Sequence, residues 1–190
     1  MNTTESIVES YFRLVRGCFT QPDVKVIKGN NRQLDLLAYN IIDEKAYHVE
    51  VSVTHCQQWC PTPKALKENF DKKFFGVPAK REGENTDYSK GKTYYESIKE
   101  TYASLGLSYD TIIRVWVCWT VNGESSLESE INEYCKEHGI LREHLEIVSF
   151  RNEVIPALMD KVSTSNYEDD ALRTLSLLRQ YEIQKPNNGA

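Results

Sequence analysis

No run of about 18 consecutive apolar residues occurs in the 190-residue chain, so no membrane-spanning helix is expected. The N-terminus, MNTTESIVES, lacks the basic leader and apolar core of a signal peptide. A cytoplasmic location is therefore the expectation. Excess positive charge is missing too: the net charge of −5 argues against a protein that coats nucleic acid by bulk electrostatics. Repeats, low-complexity tracts and compositional breaks are absent, which predicts one domain over residues 1–183 and a disordered tail over 184–190. Five cysteines, an odd number scattered along the chain, exclude a regular disulfide framework and read as free thiols. The cluster His55-Cys56-x3-Cys60 has no second ligand pair at a spacing that would complete tetrahedral zinc.

What is present is globular. Hydrophobic residues make up 40% and charged residues 27%, and the length suffices to bury a substantial core. Charge is unevenly spread, with eight basic residues against five acids between Lys64 and Lys92. Such a segment suits a phosphate-tracking surface or a solvated helix face.

Apolar spacing predicts an amphipathic helix over residues 5–15, capped by Thr3 or Thr4 and ended by Gly17. Strands are expected over residues 24–28, 34–39 and 46–54, joined by short turns and so arranged as an antiparallel meander. A basic helix follows over 64–74 with Pro63 in its first turn, then a mobile loop over 76–91 and a helix over 92–104. The most apolar strand, 111–121, should sit centrally in the sheet. A helix to about residue 138, a strand over 145–150, and helices over 153–162 and 167–181 complete the chain. The fold class is α/β, a central mixed β-sheet flanked by helices, with a long helical crossover that makes the third and fourth strands parallel.

Side chains alternate along a strand, so His48, Glu50, Ser52 and Thr54 share one face of the third strand and Val49, Val51 and Val53 the other. The polar row either faces solvent or lines a cleft. Asp35 lies within Leu34-Asp35-Leu36-Leu37, where burying a charge is costly unless something binds it. If the two strands are neighbours, the Asp35 and Glu50 carboxylates converge, and a divalent cation is the usual remedy for their repulsion. Each acid also has an ordinary reading, as a strand-end residue paired with Arg32 or Lys28 or as an exposed side chain.

The order αβββαβ, with Asp35 followed fifteen positions later by Glu50-Val51-Ser52, resembles the PD-(D/E)XK nuclease superfamily of restriction endonuclease-like and Holliday-junction resolvase-like proteins. The resemblance covers residues 5–150. It implies a restriction endonuclease-like core with a helical insert and C-terminal helices, and hydrolysis of phosphodiester bonds in DNA. It further implies Mg2+ or Mn2+ held by Asp35 and Glu50, with the Val51 carbonyl as a further ligand. An acid on the first helix joins the pair in the resolvase-like branch; Glu9 is the candidate, with Glu5 second, although Glu9 also stands four residues before Arg13, the spacing of a surface ion pair. The departure is Ser52, which occupies the place of the motif lysine and brings a hydroxyl but no charge. Lys28, Lys64 or Lys67 would have to replace it, or His48 contribute. Tyr88, Tyr94, Tyr95 and Tyr102 are candidates for a stacking clamp on substrate or for core packing. The alternative function is a catalytically inactive nuclease fold that binds nucleic acid or protein. DNA is the expected partner, and a second copy of the chain or a protein partner stays open.

Overall fold

The computed structural model describes residues 2–53, 63–77, 94–120 and 125–185. The chain opens with α1 (Thr3–Leu14), whose cap is Asn2 rather than Thr3 or Thr4. The Asn2 side chain accepts from Glu5 N at 3.0 Å and Glu5 Oε2 accepts from Asn2 N at 2.7 Å, a reciprocal capping box that satisfies two otherwise orphaned donors. Gly17, at φ +64°, then turns the chain.

Strands β1 (Phe19–Lys25), β2 (Gln33–Asn40) and β3 (Lys45–Ser52) follow as the expected antiparallel meander. β1 begins five residues earlier than its sequence suggests. It is an edge strand, exposed along much of its length and interrupted by Pro22, so it lacks the apolar alternation that marks an interior strand. Next come α2 (Pro63–Phe74), α3 (Tyr95–Ser104), β4 (Ile113–Cys118) and α4 (Ser125–Glu137). The helix expected from residue 92 is described only from Tyr95. A 3-10 turn, Arg142–His144, leads into β5 (Leu145–Ser149). A π-turn, Phe150–Val154, then feeds α5 (Ile155–Lys161), and α6 (Asp170–Gln184) follows, capped by Asp169. The residues 78–91 of the expected mobile loop, the His55-Cys56-x3-Cys60 cluster, Thr54, Tyr88 and residues 186–190 lie outside the described residues.

The sheet runs β1-β2-β3-β4-β5, in chain order. β3 pairs with β4, and β4 with β5, in parallel, which makes the sheet mixed. β4 is interior, but the middle strand is β3. One face packs Leu36, Tyr47, Val49, Val115, Val117 and Val148 against α1, α5 and α6. The other face carries two further clusters. Trp116, Cys118 and Leu145 meet Leu66, Phe70 and Phe74 of α2 and Ile131 and Tyr134 of α4. Leu34, Leu37, Ala46 and Ile112 meet Ile98 and Tyr102 of α3. The polar row of β3 lies beneath α2 and α3, with His48 and Glu50 buried. No helix among the described residues is long and apolar enough to cross a membrane.

Candidate functional site

The β2–β3 ladder ends at the pair Leu36↔Val49. Beyond that pair, the Val51 N–H donates not to a β2 carbonyl but to Asp35 Oδ2, at 2.8 Å. The carboxylate thus satisfies a backbone donor at the point where the ladder stops. It is also brought beside Glu50, which is paired on its other side with Trp116 of β4. The two acids converge, as strand alternation requires.

Glu50 is 1% exposed, and an ionised carboxylate so deep needs partners for both oxygens. Oε1 lies 2.8 Å from His48 Nε2. A carboxylate only accepts, so Nε2 carries the proton and His48 Nδ1 is the acceptor for the Tyr102 hydroxyl, 2.6 Å away. His48 also meets the Phe74 ring edge-on at 5.0 Å between centroids. Tyr102, His48 and Glu50 therefore form a closed, buried chain of hydrogen bonds that holds one glutamate rotamer.

The other oxygen, Glu50 Oε2, meets Lys73 Nζ at 2.6 Å. The contact joins opposite charges at hydrogen-bonding distance. The same ammonium is 3.8 Å from Asp35 Oδ2. Lys73 bridges the acids. Its helix packs through Leu66, Phe70 and Phe74, and Lys73 stands three residues after Phe70, on the side of α2 that faces the sheet.

The charges follow from these contacts. Burial pulls His48 below its ordinary value against the opposing pull of Glu50, which keeps the ring neutral at pH 7. Burial also works to raise Glu50, but the hydrogen bond from His48 and the charge of Lys73 outweigh it and hold the carboxyl below its usual range. Lys73 is raised: burial opposes its charge, and Glu50 and Asp35 overcome that. Asp35 behaves differently. Burial and then the Glu50 charge push it up to about 7, against Lys73 and the Val51 N–H. One acid of the pair is firmly ionised, and the other sits at its titration point near neutrality.

The sequence candidates fare unevenly. Asp35, Glu50 and Val51 are brought together, with the N–H of Val51 as the atom in contact. Ser52 lies beyond Glu50 on the same strand face, opposite Cys118 and half-buried. Glu9 is turned to β1, where it accepts from Thr20 Oγ1 at 2.8 Å. The α1 acid whose charge reaches Asp35 is Glu5. None of the lysines nominated from the sequence reaches the pair. Lys28 is largely exposed and meets Glu100 at 3.1 Å, Lys67 is 3.9 Å from Glu130, and Lys64 is exposed. The lysine that reaches both acids is Lys73. The signal that could have found it is the spacing Leu66, Phe70, Lys73, a charge set into the buried stripe of an amphipathic helix. Of the tyrosines, Tyr102 is fully buried behind His48, Tyr95 packs on Phe75 at 6.0 Å, and Tyr94 lies under Arg32 at 5.2 Å.

No group of three or more His, Cys, Asp or Glu side chains able to hold a metal occurs among the described residues. Two carboxylates are nonetheless a fitting donor set for magnesium, which commonly takes one or two carboxylates and fills its other positions with water and phosphate. No family model, curated protein or solved structure matches the chain.

Proposed function

We propose that the protein is a metal-dependent nuclease of the PD-(D/E)XK kind, hydrolysing phosphodiester bonds in DNA in the cytoplasm. The observation that carries this reading is Lys73, whose ammonium lies 2.6 Å from Glu50 and 3.8 Å from Asp35. It supplies from α2 the positive charge that Ser52 does not supply from β3. Two acids and a lysine on one sheet face form the charge set that phosphodiester hydrolysis calls for.

Asp35 and Glu50 would hold Mg2+ or Mn2+, which supplies charge neutralisation at the phosphate and activates water. The remaining work belongs to the chain. Tyr102 and His48 fix Oε1 of Glu50, so that Oε2 is the oxygen left for a cation. The Val51 N–H orients Asp35. Lys73, 38% exposed, is positioned to pivot from the carboxylates to a non-bridging phosphate oxygen, where its charge counts most as negative charge grows in the transition state. Water attacks phosphorus, one P–O ester bond breaks, and an alcohol and a phosphate monoester leave.

The test is cleavage of linear, branched and single-stranded DNA with magnesium and manganese. Asp35→Asn and Glu50→Gln should each abolish metal-dependent cutting while preserving the circular dichroism spectrum. A protein that cuts equally well without both acids ends the reading. One observation favours a second reading, a silent binding module: the Lys73 ammonium already neutralises much of the pair. Binding of DNA by the wild type with no cutting under either metal would select it.

A further inference from the structure

We propose that the cleft adjoining Lys73 is a subsite for the nucleotide next to the scissile phosphate, with Arg32 and Lys72 gripping that nucleotide's phosphate. The inference rests on the nuclease reading only in taking Lys73 to mark the scissile position.

The cleft has a volume of about 420 Å³ and lies between the β1–β2 turn, Gly29–Gln33, and the end of α2. That is too large for a bare phosphate and within the roughly 300–1,000 Å³ of small-ligand sites. Its walls include Arg32, Lys72 and Lys73 and, among the described residues, no acid. Lys73 belongs both to the cleft and to the acid pair, so the cleft lies beside the site with that ammonium between them.

The walls are built. The guanidinium of Arg32 lies over the Tyr94 ring, 5.2 Å from its centroid, and Arg32 Nη1 donates to the carbonyl of Lys72. These contacts fix the plane of a half-buried cation and leave its other donors for a ligand. Burial draws Arg32 below its ordinary value, and the charge of Glu50 opposes this. The turn is tied by Gly29 N to Val26 O, Arg32 N to Gly29 O and Val26 N to Arg32 O, each at 3.0 Å. Lys28, Asn30 and Asn31 hold positive φ within it. Across the cleft Gly76, at φ +66°, receives a 3.0 Å hydrogen bond from Tyr94 N, and a Cβ there would lie 2.7 Å from the Tyr94 carbonyl carbon. The β1–β2 turn and the end of α2 therefore border a slot with a cationic wall. The side-chain amides of Asn30, Asn31 and Gln33 offer both donors and acceptors, as the edge of a base or a sugar requires.

The test uses the full chain and a fluorescein-labelled oligodeoxythymidylate in EDTA, so that no cutting occurs. Anisotropy titrations across a range of salt compare the wild type with Lys72→Ala, Arg32→Ala and the control Lys161→Ala. Lys72→Ala and Arg32→Ala should each weaken binding about tenfold at low salt and reduce the log–log salt slope by about 0.7 for each single-strand phosphate left without its cation. In magnesium they should raise KM and leave kcat within about twofold, as removal of uniform binding does. Lys72→Ala keeps the test sound if removal of the Arg32 tie unfolds the turn. Binding by both variants like that of Lys161→Ala, or no binding by the wild type, overturns the subsite. If those two variants bind and cut as wild type while Asp35→Asn is dead, the subsite fails and the nuclease reading stands. Wild-type binding that depends on Arg32 and Lys72 without any cutting gives the reverse.

Discussion

Glu50 has one oxygen committed to His48 and the other shared with a cation, and this division makes Lys73 the most informative residue to change. Lys73→Met keeps an unbranched aliphatic side chain but removes the charge. Loss of one positioned electrostatic group should lower kcat about 10²- to 10³-fold with KM little changed, measured on the best DNA substrate in magnesium. Cutting at the wild-type rate would remove Lys73 from the chemistry. Asp35 offers a separate test through stability. Its carboxyl titrates at 3.8 when unperturbed and at about 7 in the fold. Below that window both states are protonated, so the group contributes nothing. Within it the folded protein keeps a proton that the unfolded chain has released, so stability falls as pH rises, and above about 7 the full cost is present. His48 runs the other way: its native value lies below 6.5, so its contribution to stability is lost as pH falls. Asp35→Asn removes the first slope and keeps the second. The stability of Asp35→Asn minus that of the wild type, from urea unfolding in EDTA, should grow between about pH 4 and about pH 7 and then level off. A difference independent of pH would show that Asp35 is not held near neutrality.

The strands and the first helix are legible in the sequence to within a few residues, because alternation in β2 and β3 and the apolar stripe of α1 are strong local signals. Only the end of β1 is legible, because an edge strand with Pro22 carries little alternation. The convergence of Asp35 and Glu50 also follows from local pattern, since a short antiparallel connection puts opposed side chains on one face. The lysine does not follow. Which α2 residue reaches across to β3 depends on how the helix docks, and Lys64, Lys67 and Lys73 differ in rotation about its axis rather than in chemistry. The opening of β2 from β3 is equally hidden, although it has a measurable signature. Val51 N–H is held by a side chain, whereas its neighbours near Val49 belong to the ladder. In Asp35→Ala, hydrogen exchange at Val51 should accelerate by more than tenfold, the drop in protection expected when a hydrogen bond worth more than about 1.4 kcal/mol disappears. The amides of residues 46–49 should keep their wild-type rates. Uniform acceleration along β3 would mean that Asp35 holds the whole strand rather than its end.

At the scale of the molecule, the sheet is covered on both faces, and the described cysteines lie within its cores. Cys18, Cys118 and Cys135 are buried, and burial pushes the Cys18 thiol up to about 11. A thiol reagent followed by peptide mass spectrometry should leave these three unmodified in the native protein and label them in urea, because burial denies the reagent access to the sulfur. Rapid native labelling of Cys118 would contradict the packing of β4 beneath α2 and α4. With an acidic total charge of −5, the DNA binding proposed above would rest on local features such as the Arg32–Lys72 slot, and its affinity should fall steeply with salt.

The seating of α2 on the sheet also sets an order of events during synthesis. Asp35, Glu50 and Lys73 all leave the ribosome early, yet the face that presses α2 into place is made of Trp116, Ile131, Tyr134 and Leu145. Until the segment through Leu145 has emerged, that platform is incomplete. A nascent chain carrying all three charged groups thus lacks their finished arrangement, which is completed only with the last strand of the sheet.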